Sequence, residues 1–288
     1  MSASTTTSLN DLLPSIVQEA LFVASERSIM RGLVKNYTLP AQSGKTVTVP
    51  IYPLQTAASL NEGTEASPAA VSTSSAVLTV AEVGLATQVT DLARISSATN
   101  VVADIGRLFG EAIARKMDLD LTAKFAEFTT NVVGSANIAA ISGAITAADV
   151  FKAVAKLRQS GVPSNDIVCV LSPSVAYDLK ANLTNTFANS NPNAVSNQAM
   201  LEGYVGQLAG VTVYETANLA NNGTVGDYVG GVFHRDALGL ALMQDITIET
   251  QRNALLRGDD LIATAIYGVG TLYEGYGVAM SFDSSVLN

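Results

Sequence analysis

Charge is scarce in these 288 residues: Asp, Glu, Lys and Arg together make up 14%, and the acidic excess leaves a net charge of −9. A chain this acidic, with no strongly basic run, lacks the clustered Lys and Arg that gripping nucleic acid requires. Trp is missing, and the Tyr residues have none of the basic interleaving of a base-stacking platform. One cysteine excludes an intramolecular disulfide; Cys169, in the apolar run DIVCVLS, reads as a buried, inert thiol. One histidine and one cysteine are too few for a structural zinc site. His234, in VGGVFHRDAL, is the only residue through which a Ser-His-Asp arrangement could run, and no G-x-S-x-G occurs. YGVGTLYEG fails both the dinucleotide and the phosphate-loop spacing. The acid pairs Asp118/Asp120 and Asp259/Asp260 match no calcium loop and read as solvated helix or turn positions. No catalytic residue, cofactor or metal is therefore expected. The start, MSASTTTSLNDLLPS, lacks the basic opening and apolar block of a secretory signal, so the Asn182 and Asn222 sequons read as chance. The stretch 261–280 carries Glu274 and several glycines, the composition of a strand and not of a membrane span.

A second absence is local. From Thr46 to Ala93 there is no Lys or Arg, and the middle of that run, SLNEGTEASPAAVSTSSAVLTV, is Ser, Thr and Ala with acidic charge only. On its N-terminal side Val47, Val49 and Ile51 alternate with Thr46, Thr48 and Pro50, a period of two ending in prolines that suit an edge or ribbon strand. On its far side SAVLTVAEVGLATQVTD places Val77, Ala81, Val83, Leu85 and Val89 on one side. The expectation is one long hairpin with Gly63 and Pro68 at its tip. Such a hairpin has open edges and little stability of its own, so it needs another surface to lie on.

Elsewhere the pattern is mixed. Apolar residues at helical spacing predict an amphipathic helix over 10–31. Residues 101–128, without proline, predict a helix of about 40 Å. It carries Ile105, Leu108, Phe109, Ala112 and Ile113 on one side and a ladder of Arg107, Glu111 and Arg115 on another, extended by Asp120 and Lys124. Thr146 with Asp149 opens a helix that Gly161 closes. DIVCVLS reads as a strand, and Ser172 with Pro173 opens the next helix. TNTFANSNPNAVSNQ is a polar loop, and GVTVYET, VGGVFHR, LGLALM, DITIETQ and VAMSF read as short strands. The class is α+β.

In this order, TVTVPIYP, LNEGTEASP, ATQVTDLARISSATNVVADIGRLFGEAIARKMDLDL, ITAADVFKAVAKLRQSGV, VCVLSPSVAYDLK, LAGVTVYET and RGDDLIATAIYGVGTLYEGYGVAMSF resemble the major capsid proteins of tailed double-stranded DNA phages, the Hong Kong 97 phage fold. The resemblance runs over nearly the whole chain and rests on the order of several weak signals. It implies an N-terminal arm (1–37), an extended hairpin loop (38–95), a peripheral domain with a spine helix (96–144), an apical domain (145–244) and peripheral closing strands (245–288). It also implies self-assembly through hexamers and pentamers into an icosahedral shell around phage DNA, bound without sequence specificity and without a membrane. The partners implied are a scaffolding protein, a portal and a decoration or cementing protein, with assembly in the host cytoplasm. Some members join subunits through a lysine on the extended loop; that loop has no lysine here, so non-covalent locking is expected. Glu62 and Glu65 near the loop tip are the candidates to reach Arg107, Arg115 and Lys116 of a neighbour. An encapsulin-like compartment shell is the alternative within the fold, and a small hydrolase using His234 the alternative outside it.

Overall fold

The structure is a computed structural model of the chain, and it describes residues 28–40, 42–52, 57, 59, 63, 70–96, 101–135, 141, 143–187, 207–219 and 226–286. Most of the expected helix over 10–31 and the Asn-rich loop lie outside these residues. The described elements are α1 (Met30–Leu33), β1 (Lys35–Thr38), β2 (Thr46–Ile51), β3 (Ser74–Thr79), β4 (Ala81–Thr90), α2 (Asp91–Ser96), α3 (Val101–Ala123), β5 (Val132–Gly134) and α4 (Ala147–Gln159). They continue with β6 (Ile167–Leu171), α5 (Pro173–Phe187), β7 (Gln207–Leu208), β8 (Val211–Glu215), β9 (Asp227–His234), β10 (Leu238–Asn253), β11 (Gly258–Thr271) and β12 (Gly277–Asp283).

Three sheets organise them: β1-β10-β11-β4, β5-β12-β9-β6-β8-β7, and the ribbon β2-β3. The six-stranded sheet is buried on both faces. Cys169, Leu171, Val232, Val278 and Met280 pack under α4 and α5, while Val170, Phe233 and Ala279 face Phe125 and Phe128. Two covered faces explain why DIVCVLS reads as a continuous apolar run without alternation. The phenylalanines interlock, with ring centroids of Phe125 and Phe233 at 5.3 Å.

Helix α4 starts and stops as its sequence requires. The Thr146 N–H and hydroxyl both donate to Asp149 Oδ2, at 3.1 and 2.6 Å, in place of the missing helical partner. At the other end Gly161, at φ 77°, donates to Arg158 O while Val162 donates to Leu157 O, closing the last turn.

The four-stranded sheet is built on a long antiparallel pair. LGLALM and DITIETQ, expected as two strands, are one strand, β10, with register shifts around Gln244 where it bulges. It runs unbroken through 244 and 245, and β12 pairs with β9 in the six-stranded sheet. On one face Leu261, Ala263, Ala265 and Tyr267 of β11 and Val83, Leu85 and Val89 of β4 meet Ile105, Phe109, Ile113, Met117 and Leu121 of α3. Leu108 and Ala112, expected on that side, are exposed. The packing stripe is centred beside the 105–121 line, where Gly106, Gly110 and Ala114 let the helix approach the sheet. The helix proper ends at Ala123 and tightens to a 3₁₀ turn over Lys124–Glu127, which turns Phe125 and Phe128 inward.

The acid pairs are not solvated. Asp118 is fully buried and accepts from the Ser28 hydroxyl (2.8 Å), the Ile29 and Met30 N–H groups (both 3.3 Å) and Asn218 Nδ2 (3.4 Å). It thereby holds the start of α1 on the long helix. Asp120 accepts from Lys116 (2.7 Å) and from the Tyr267 hydroxyl (2.9 Å). Asp259 is buried beside Arg252, and Asp260 accepts from Gln88. Isolated sequence spacing could not reveal these partners, which arrive from elements far along the chain.

Candidate intersubunit surface

The expected single hairpin is two separate pieces. Only β3 pairs with β2, in the register Thr46↔Thr79 to Ile51↔Ser74. At Val80 the chain changes sheets: its N–H donates to Lys45 O (2.9 Å), its side chain is buried, and β4 continues as the edge of the four-stranded sheet, antiparallel to β11. The change of sheet resets the alternation. Val77 is exposed, although Val83, Leu85 and Val89 are half-buried as expected.

The ribbon has one apolar face, Val47, Val49 and Ile51 of β2 with Ala76 and Leu78 of β3. Its base is covered by the chain's own Leu39, Val80, Ala241 and Leu272, so Leu78 is 1% exposed. Beneath that base, glycines make room. A Cβ at Gly268 would sit 2.2 Å from Thr79 O, and one at Gly270 would meet Leu78 at 2.7 Å. The glycine pattern of YGVGT thus serves close chain packing. Cover runs out along the ribbon: Tyr52 is 66% and Val71 57% exposed.

The outer face of α3 presents Arg107, Leu108, Arg115 and Lys116 to solvent. Lys116 pairs with Asp120 one turn on, and Lys124 with Glu127 (2.7 Å). Glu62 and Glu65, the acidic residues proposed to meet this helix, lie outside the described residues.

A further exposed apolar group, missed in the sequence, lies at the end of the four-stranded sheet. Leu92 and Ile95 of α2 are 78% and 80% exposed, and Leu255, in the turn between β10 and β11, is 96% exposed beside Leu256. The signal was present in NALLRG, where two adjacent leucines occupy a tight turn that no neighbouring strand can cover. Arg252 bridges Asp91, at 2.6 and 2.9 Å, and Asp259, at 3.3 Å. These bonds, first those to Asp91, hold the guanidinium pKa above its usual value.

His234 is buried, its Nδ1 accepts the Asp236 N–H (3.2 Å), and its ring stands edge-on to Tyr276. Burial pushes the Cys169 thiol up to about 12, so it is no nucleophile at neutral pH. Among the described residues no group of three His, Cys, Asp or Glu side chains could hold a metal, and no helix is long and apolar enough to cross a membrane.

A family model for phage capsid proteins matches residues 73–281. In structure the chain is similar to the capsid of the cyanophage P-SCSP1u, with a TM-score of 0.71 and 20% identity over 90% of this chain and 89% of that one. It is also similar to a protein of Mycobacterium phage Che8, at 0.68 and 20% over 88% and 90%. The head structure of Helicobacter pylori bacteriophage KHP40 matches at 0.68 and 11% over 88% and 91%. No curated protein matches the chain in sequence. These identities carry the fold alone.

Proposed function

The chain belongs to the phage capsid protein family and is a major capsid protein, a subunit of an icosahedral shell; from that premise we propose that its copies join as hexamers and pentamers, with the β2–β3 ribbon of each lying on a neighbour. The observation that carries this is the apolar face of the ribbon, which is covered at Leu78 by its own chain and left without cover at Tyr52 and Val71. Fully burying side chains of this size is worth about 1.5–3 kcal/mol each, less the cost of ordering. Sums of such weak contacts, multiplied over a shell, give a stable whole that can still correct errors as it grows. Glu62 and Glu65 carry the ribbon's acidic end towards Arg107, Arg115 and Lys116 of the neighbour, locking it without a covalent bond.

The shell encloses double-stranded DNA that the acidic subunit repels weakly enough to let slide. A separate scaffolding protein, a portal and a cementing protein act with it, and assembly takes place in the host cytoplasm. The family match favours a virion shell over an encapsulin-like compartment, and the use of His234 Nδ1 by a backbone N–H removes the reason for a hydrolase. The test is Ile51→Lys, which puts charge on the ribbon's apolar face beyond its own cover. Negative-stain microscopy should show shells from the unaltered protein and only small oligomers from the variant, at an unchanged melting temperature. Normal shells from Ile51→Lys would remove the ribbon from the assembly contact.

A further inference from the structure

We propose that the far end of the four-stranded sheet is a second contact between copies, in which this tip meets the identical tip of another subunit and Arg252 is the residue that positions it. The inference rests on the shell reading above but on a different part of the molecule. β11 has 14 residues and spans about 45 Å, at roughly 3.3 Å per residue. The ribbon packs near one end of it and the turn 254–257 lies at the other, so the ribbon's own reach cannot account for the apolar group there.

Leu92, Ile95, Leu255 and Leu256 stand together because two separate pieces of chain are fastened to each other. The Asp91 N–H donates to Arg257 O (2.9 Å), which joins the start of α2 to the turn. The Arg252 guanidinium, reaching from β10, grips the Asp91 carboxylate with two bonds and Asp259 of β11 with a third. Asn253 Oδ1 accepts the Leu256 N–H (3.4 Å) and steadies the turn. The result is an apolar platform on the order of 500 Å², the size at which a patch marks an interaction site.

The charges select the occupant. Arg252 is matched inside its own tip by Asp91 and Asp259, so a strongly acidic or basic partner gains little there. An identical tip meets matched charge and an apolar surface that complements itself, with Arg257 at the rim. Two such platforms would bury about 1,000 Å² in total, the low end for a specific interface and suited to one contact among several.

The test uses Leu255, which is almost wholly exposed and makes no core contact. Leu255→Asp and Leu255→Lys, expressed separately, should keep the melting temperature of the unaltered protein and lower shell yield at least tenfold. Expressed together, they should restore shells, because opposite charges then face each other. In assembled shells Leu255→Cys should give disulfide-linked dimers on mild oxidation, Cys169 being buried; adding Arg252→Ala should slow that crosslinking several-fold, and Arg252→Lys less. Normal shells from both charged variants would overturn the inference, as would failure of co-expression to rescue or shells without crosslinks. Each of these leaves the shell reading intact, which fails only if the unaltered protein forms no shells.

Discussion

The six-stranded sheet is covered on both faces by its own chain, whereas the four-stranded sheet is covered by α3 on one face and by the ribbon's base over one end of the other. In the first, Cys169 and Val170, adjacent in β6, are both fully buried in separate clusters. In the second, Leu261 and Ala263 are buried while Ile262 between them is 40% exposed, and both ends of the long strands carry exposed apolar groups. One half of the molecule is complete as a monomer. The other half leaves apolar surface that only another chain can cover, which is what a shell subunit requires.

If that contrast is correct, substitutions in the two halves should separate folding from assembly. The largest effect on folding is expected from Phe233→Ala in the complete half, which empties the space between Phe125 and β6. It should cost about 3–5 kcal/mol, seen as a lower urea midpoint, with shells lost because the subunit unfolds. Gly268→Val should cost about 1–3 kcal/mol by overpacking, since its side chain would collide with Thr79 O. The ribbon's base should then become accessible to protease while the six-stranded sheet keeps its hydrogen-exchange protection.

Asp118 tests the seam where α1 rests on α3. Burial raises its pKa above the ordinary carboxylate range, and the hydrogen bonds from Ser28, Asn218, Ile29 and Met30 oppose that shift without cancelling it. A raised folded-state pKa means that the group's contribution is fully present below its unfolded pKa, about 3.9, and is lost as pH rises through the folded value. The stability of the unaltered protein relative to Asp118→Asn should therefore fall between about pH 4 and neutrality, as read from urea midpoints at each pH. A difference that stayed flat or grew with pH would contradict the burial argument. The smallest folding effect is expected from the double change Glu62→Lys and Glu65→Lys. Exposed pairs are worth about 0–1 kcal/mol each, so the melting temperature should hold, but shell yield and heat resistance should both drop. Unchanged shells would remove these residues from the contact.

Short-range signals were legible because their partners are near in sequence. TVTVPIYP alternates as β2 does, Thr146 and Asp149 meet across three residues, and Gly161 closes α4. The α+β class and the order of elements followed from such signals. The length of the hairpin did not, because nothing in SAVLTVAEVGLATQVTD marks Val80 as the point where the chain passes from one sheet to another. The orientation of Leu108 was misread for a related reason: helical spacing defines a stripe, but the glycines that let α3 settle against β11 decide where its centre falls. At the candidate surface, Arg107, Arg115 and Lys116 were placed outward as expected, while the tip around Leu255 went unnoticed.

What the residues determined by themselves was local and compositional. The lack of charge, the single buried thiol, the caps and the alternating strands each follow from interactions within a few positions or from the solvation of a side chain. Only the tertiary structure decided that Asp118 is buried, that Arg252 joins Asp91 to Asp259, and that four aliphatic side chains share one exposed end. Those outcomes depend on contacts between segments as much as 161 residues apart, as Asp91 and Arg252 are, and such contacts exist only once the strands have chosen their partners.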